Sequence, residues 1–131
     1  MNSNFSQDQA NDGHFPYGNQ SSYRDFIMPE ALEGQFLLEA NMWDPEDTDP
    51  VVYARYFYPA WSATWYATAY DPDYEIFYGF VTGLDYPEWW TWSLREWIDF
   101  TGALGLKIER DLSFYPKPFS KAVPESEREI S

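Results

Sequence analysis

The chain has 131 residues, no cysteine, and 22 acidic against 8 basic residues, which gives a formal net charge of -14 at pH 7. The lack of cysteine excludes disulfides, thiolate metal sites and a cysteine nucleophile. A chain this acidic repels phosphate backbones, which argues against direct nucleic-acid binding. Its length is enough for one hydrophobic core.

The amino-terminal residues 1–20 contain no basic residue and no apolar stretch. They therefore match neither a secretory signal nor an Arg-rich transit peptide. No run of the sequence approaches the roughly 20 apolar residues that a membrane-spanning helix needs. We expect a protein that is located in the cytoplasm and does not contact a membrane.

Residues 1–25 are rich in small polar residues and have too little contiguous apolar surface to offset the entropy of ordering, so we expect a flexible tail. A short helix is predicted to start near Pro29 and to run to Ala40, with Leu32 and Phe36 at helical spacing. The acidic segment 44–50 contains two prolines and is predicted to be an exposed loop.

Three runs of β-branched and aromatic residues follow, at residues 51–58, 63–70 and 75–84, and each is predicted to be a strand. The short connections between these runs favour antiparallel hairpins. Regular alternation places Tyr66 and Tyr70 on one face of the second strand, and Trp65 and Ala67 on the other.

A fourth strand is expected around residues 89–92. Directly after it, Ser93 and Glu96 have the spacing of a capping box, which predicts the start of a helix. This helix should stop near Gly102 and bury Leu94, Trp97 and Ile98. Residues 106–114 indicate a last strand or extended segment, and three prolines after it indicate a loose end from about residue 121.

Together these elements predict an α+β fold, with an antiparallel sheet of about four to five strands and one or two short helices. The predicted organisation is a flexible tail over residues 1–25, a single α+β domain over 26–120 and a loose carboxyl-terminal tail over 121–131. No internal repeat is visible.

Several segments match the motifs of a known family. They are Val51-Val52-Tyr53, Thr64-Trp65-Tyr66-Ala67-Thr68, Asp71-Pro72, Phe77-Tyr78-Gly79, Ser93-Leu94 and Gly105-Leu106-Lys107-Ile108-Glu109-Arg110-Asp111-Leu112-Ser113-Phe114. On these segments the chain resembles the bacterial family catalogued as domain of unknown function 2958, over about Val51 to Ser120. The resemblance implies a bacterial, plasmid or phage setting and no established activity.

The chain departs from the pattern of that family at two places. Members usually have a Glu where this chain has Ala69, and a Gly-Tyr-Phe where it has Trp90, Thr91 and Trp92. If that Glu were a catalytic group in the family, this protein would lack it.

The only histidine, His14, lies in the predicted tail, so neither a Ser-His-Asp relay nor a histidine zinc site has a scaffold. The sequence assigns no catalytic residue, no metal ligand and no cofactor. In a strand, Glu109 and Asp111 would share one face and Arg110 would lie on the other. These three residues are either an anion clamp with an acid–base pair, or a structural group in which Arg110 makes an ion pair.

Residues 51–100 contain 18 aromatic residues in 50 positions, more than one small core can hide, so some rings must be exposed. Exposed rings could be scattered amphipathic side chains of no consequence. They could instead form a contact surface, because Trp and Tyr are enriched at interface hot spots. The candidates for such a surface, all in turn-like positions, are Trp61, Trp89, Trp90 and Trp92.

The favoured function is a protein-binding or accessory module whose partner and oligomeric state the sequence does not indicate. Its sharper form is a DNA mimic of a mobile element, which presents carboxylates where a nuclease expects phosphates. The alternative is a small-ligand binder or an enzyme that uses aromatic stacking and carboxylates. Catalysis is the less expected outcome because no motif supports it, and single-stranded nucleic-acid binding is disfavoured by the lack of a basic patch.

Overall fold

A computed structural model describes residues 17–40, 44 and 46–129 of the chain, and the structural statements below concern these residues. His14 and the first 16 residues of the predicted amino-terminal tail lie outside the described residues. The division into one domain with two tails stays a prediction as a whole.

The central element is a five-stranded antiparallel sheet with the strand order β5-β4-β3-β2-β6. A separate two-stranded ladder pairs β1 with β7. The α+β fold with an antiparallel sheet is therefore confirmed. The strands are β1 Val51–Val52, β2 Ala54–Phe57, β3 Thr64–Asp71, β4 Ile76–Thr82, β5 Glu88–Ser93, β6 Glu109–Arg110 and β7 Lys117–Pro118.

More short helices are present than the one or two predicted: α1 Gln20–Ile27, α2 Glu30–Glu39, α3 Leu94–Asp99, α4 Phe119–Ala122 and α5 Glu125–Arg128. The predicted helices correspond to α2 and α3. The hydroxyl of Ser93 accepts a hydrogen bond from the N–H of Glu96 at 3.1 Å, as the capping pattern requires.

Helix α1 lies largely within the range predicted to be a flexible tail. The side chain of Asn19 caps its first turn by accepting from the N–H of Ser22 at 2.9 Å. Tyr23 and Ile27 are buried, and the Tyr23 hydroxyl donates to the carbonyl of Ile108 at 2.6 Å. Tertiary contacts of Tyr23 and Ile27, which lie one helical turn apart, therefore order residues 20–25.

The first core lies between one face of the sheet and helices α1, α2 and α3. The ring of Phe77 is at its centre, 5.5 Å from the stacked ring of Trp92 and 4.9 Å from that of Tyr70. Other rings around Phe77 come from α2, β2 and α3, namely Phe36, Tyr56 and Trp97.

A second core covers the opposite face of the sheet. The carboxyl-terminal segment forms its outer layer, and its buried residues are Val52, Tyr66, Phe80, Phe119 and Val123. The expectation of a loose chain from residue 121 is wrong for this part, because Val123 is only 1% exposed. The prolines do not prevent helix formation here, since Pro118 and Pro124 precede the first turns of α4 and α5.

A β-bulge in β3 changes which side chains share a face. The pairing with β4 shifts register between Ala67 and Ala69, so Thr68 is the extra residue. As a result Tyr66 packs in the second core and Tyr70 in the first. The prediction that Tyr66 and Tyr70 lie on one face is therefore wrong, because regular alternation does not continue across a bulge.

Lys107 is buried, with 1% of its surface exposed, at the carboxyl end of α3. Its ammonium donates to the carbonyls of Ile98 at 2.9 Å and Trp97 at 3.3 Å, and also to that of Phe100. It lies 4.3 Å from the centre of the Tyr23 ring. A cation at this place satisfies the free carbonyls of a helix end and links α3 to α1.

We expect Lys107→Met to lower the free energy of unfolding by roughly 2–4 kcal/mol, because it leaves several buried carbonyls without a donor. The methionine side chain keeps most of the apolar volume. Urea unfolding followed by tryptophan fluorescence measures the change, and Lys121→Met, at an exposed position, is the control. A loss below about 1 kcal/mol for Lys107→Met would contradict this structural role.

Burial raises the pKa of several tyrosines above the ordinary value of 10.0, to about 12 for Tyr70. The others are Tyr17, Tyr23, Tyr53, Tyr56 and Tyr66. A raised pKa means that the unfolded chain loses these protons first. The stability is therefore complete below about pH 10 and falls as the pH rises towards 12.

The free energy of unfolding, measured in urea from neutral pH to pH 11, should fall steeply above pH 10. Tyr70→Phe should make this fall shallower and leave neutral-pH stability almost unchanged, because the Tyr70 hydroxyl has no hydrogen-bond partner among the described residues. Lys107 has the opposite effect on the pH dependence of stability, because burial lowers its pKa. It is one group against several tyrosines, so the fall above pH 10 should remain. A stability that stays level up to pH 11 would show that the tyrosines are not buried.

Candidate functional site

Trp61 lies in the connection between β2 and β3 and is 66% exposed. Its ring packs edge-on against that of Tyr58, with 5.3 Å between the ring centres. Tyr58 is buried, and Phe100 packs against it in the same way at 5.6 Å. Tyr58 therefore supports two exposed rings that come from distant parts of the sequence.

The loop after α3 also packs against Tyr58. A Cβ at Gly102 would overlap the Tyr58 hydroxyl, so only glycine fits there. Two residues later, Leu104 has a φ of 61° and is 95% exposed. A left-handed backbone costs a leucine about 1 kcal/mol or more. We call the exposed residues Trp61, Phe100 and Leu104 the Trp61 patch.

The other predicted tryptophans do not join this patch. All of them lie in strand β5, which confirms the predicted fourth strand, and none lies in a turn. Trp90 is 60% exposed and pairs with Gly79 of β4. Trp89 packs in the second core, 4.9 Å from Phe119, and Trp92 is buried in the first. The sequence prediction thus included Trp61 and missed Phe100 and Leu104. The signal that could have indicated them is the pair of glycines, Gly102 and Gly105, in the loop after α3.

The segment Glu109-Arg110-Asp111 bonds to three different parts of the fold. The Arg110 Nε donates to the carbonyl of Phe26 at 2.8 Å, near the end of α1. Asp111 accepts from Arg55 at 3.0 Å, and Glu109 accepts from the Tyr17 hydroxyl at 2.8 Å. These contacts favour the structural interpretation, although the ion pair involves Asp111 and not Arg110.

A groove of about 560 Å³ lies at the other end of β3, between α2 and the turn that joins β3 to β4. Its aromatic wall consists of Phe36, Tyr53, Tyr70 and Tyr78, and its carboxylates are Glu39, Asp44, Asp47 and Asp71. We call it the acidic groove. Ala69 also lies in its wall.

None of the tryptophans predicted as a contact surface is among the described residues that line the acidic groove, so the groove is distinct from that surface. Within the described ranges, no three or more His, Cys, Asp or Glu side chains are grouped so that they could hold a metal ion. None of the helices in this part of the chain is long and apolar enough to span a bilayer.

Comparison with curated proteins and with solved structures finds no match to this chain. The family described as protein of unknown function, DUF2958, matches residues 27–127. This range covers well over half of the chain and begins before the segment on which the sequence resemblance rests. The chain therefore belongs to the DUF2958 family.

Proposed function

We propose that this chain is a protein-binding module, that the Trp61 patch is its docking surface, and that the partner presents a basic surface around an apolar centre. The observation that carries the proposal is Leu104, which the fold keeps almost wholly exposed in an unfavourable backbone conformation. Strain of this kind persists where the surrounding structure enforces it, and it concentrates at functional positions.

The composition of the patch supports a binding role. A tryptophan and a phenylalanine are exposed around one buried tyrosine, which packs against both rings, and an exposed leucine follows in the loop after the phenylalanine. Interface hot spots have this character, with aromatic anchors that lose little conformational freedom when they bind. The patch is formed by two loops, at residues 59–63 and 100–106, that the sheet and α3 position.

The charge of the chain indicates which kind of partner fits. Six of the 8 basic side chains are engaged within the fold, as ion pairs, hydrogen-bond donors or cations over rings, namely Arg24, Arg55, Lys107, Arg110, Lys117 and Arg128. With 22 carboxylates against 8 basic side chains, most of the carboxylates have no basic counterpart. Repulsion disfavours a second copy of the chain, and attraction favours a basic protein.

A sharper form of the proposal is that the basic partner is a nuclease or another DNA-binding enzyme, in a bacterial plasmid or phage setting. The net charge of -14 supports it, because carboxylates can occupy the places of phosphates. The proposed location is the cytoplasm. In this form, binding should compete with DNA and should weaken as salt screens the charges.

The test is recovery of partners from a bacterial lysate with the tagged protein and two matched variants. Leu104→Ser should reduce the recovered partner about tenfold or more, because it removes a central apolar contact. Leu112→Ser, at another exposed leucine away from the patch, should leave recovery unchanged. Higher salt should reduce the recovery of the partner by the wild-type protein.

The proposal fails if no partner is recovered at low salt, or if Leu104→Ser and Leu112→Ser retain the partner equally. A recovered partner that binds DNA should lose that activity when the wild-type protein is added, and should keep it with Leu104→Ser. A partner with no DNA-binding activity would overturn the DNA-mimic form and leave the docking surface supported.

A further inference from the structure

We infer that the acidic groove binds an organic cation, specifically an alkylammonium group held between aromatic rings and carboxylates. This inference does not depend on the Trp61 patch. The groove and the patch lie at opposite ends of β3, which spans Thr64–Asp71. Eight strand residues separate the two ends by about 23 Å.

The dimensions of the groove suit a small organic group. Its volume of about 560 Å³ is within the range of sites that hold small molecules. A metal ion is a poorer fit, because no three or more His, Cys, Asp or Glu side chains of the described residues are grouped so that they could ligate one. The carboxylates are therefore arranged around a larger space than a single ion fills.

The rings of the groove are held in place by their neighbours. Tyr78 stacks on Trp89 with 5.7 Å between ring centres and 14° between planes. Tyr53 packs edge-on against Phe36 at 5.5 Å. Fixed aromatic faces attract a cation without a further loss of side-chain entropy.

The charge in the groove has one sign, since none of the described residues that line it is basic. Three carboxylates are fixed by their own turns, where Asp44, Asp47 and Asp71 each accept a backbone N–H at 2.9 Å. These bonds orient the carboxylates and leave their negative charge in place. Such a lining repels anions and attracts cations.

Tyr70 provides a second, independent observation. Tyr70 is one of the residues that line the groove, is 5% exposed, and has a hydroxyl without a hydrogen-bond partner among the described residues. A buried polar group without a partner is costly, and such groups in folded proteins call for an explanation. A bound ammonium that carries N–H groups, or a water molecule that accompanies a quaternary one, would supply the missing partner.

The test is a titration of the isotope-labelled protein, followed by NMR, with choline and with its neutral isostere 3,3-dimethyl-1-butanol. Choline should give saturable shifts at the amides of Tyr53, Ala69 and Tyr78. Its affinity should exceed that of the isostere about tenfold, because only the cation gains from rings and carboxylates. Equal affinity, or shifts spread over the whole surface, would overturn the inference.

Matched variants locate the site. Glu39→Gln removes one charge from the groove and should weaken choline binding about threefold or more. Glu30→Gln removes the same charge from an exposed position of the same helix and should leave the affinity within about twofold of the wild type. Tyr78→Leu should also weaken binding, because it removes a ring that is partly exposed and not central to the core.

A third ligand distinguishes the source of the ammonium group. Nα-acetyl-lysine methylamide represents a lysine on a protein surface, and choline represents a small, free ammonium compound. Tighter binding of the lysine derivative in the groove points to a protein side chain, and tighter binding of choline to a small metabolite. If neither compound shifts the groove amides, or if Glu30→Gln weakens choline binding as much as Glu39→Gln, the inference is wrong.

Discussion

Aromatic side chains project from both faces of the five-stranded sheet, and rings on both faces have to be kept from water. Most of the architecture follows from this constraint. Helices α1, α2 and α3 cover one face around Phe77, and the carboxyl-terminal segment covers the other around Phe80. Two cores explain how so small a chain accommodates an aromatic content of 21%. The hydroxyl of Tyr66 also holds the outer layer by donating to Glu127 at 2.9 Å.

The places where this covering stops are the places where function is proposed. At one end of β3, the rings of Trp61 and Phe100 remain exposed beside a strained loop. At the other end, α2 and the turn after β3 leave a groove with aromatic walls and carboxylates. The two proposed sites lie at opposite ends of β3 and can be tested independently.

The sequence predicted the elements that local patterns determine. Alternating aromatic and β-branched runs located β2, β3, β4 and β5, and the capping residues located α3. It could not predict the second core, because burial of Phe119 and Val123 depends on contacts with strands far away in the sequence. The bulge at Thr68 and the buried Lys107 are likewise set by three-dimensional packing. The same reason explains how far the candidate sites could be predicted. Trp61 is recognisable in the sequence as a tryptophan in a turn. The roles of Leu104 and of the acidic groove become visible only in the assembled fold.

The central claim is that the carboxyl-terminal segment is the cover of the second sheet face, and Val123→Asp tests it most directly. Val123 is 1% exposed, so a carboxylate there would be buried without a partner. We expect a loss of roughly 3 kcal/mol or more in the free energy of unfolding, with new binding of the dye ANS to the uncovered rings. Ser126→Asp, at a nearby exposed position, is the control and should change neither quantity. A Val123→Asp protein with unchanged stability and no ANS binding would show that the segment does not cover the sheet.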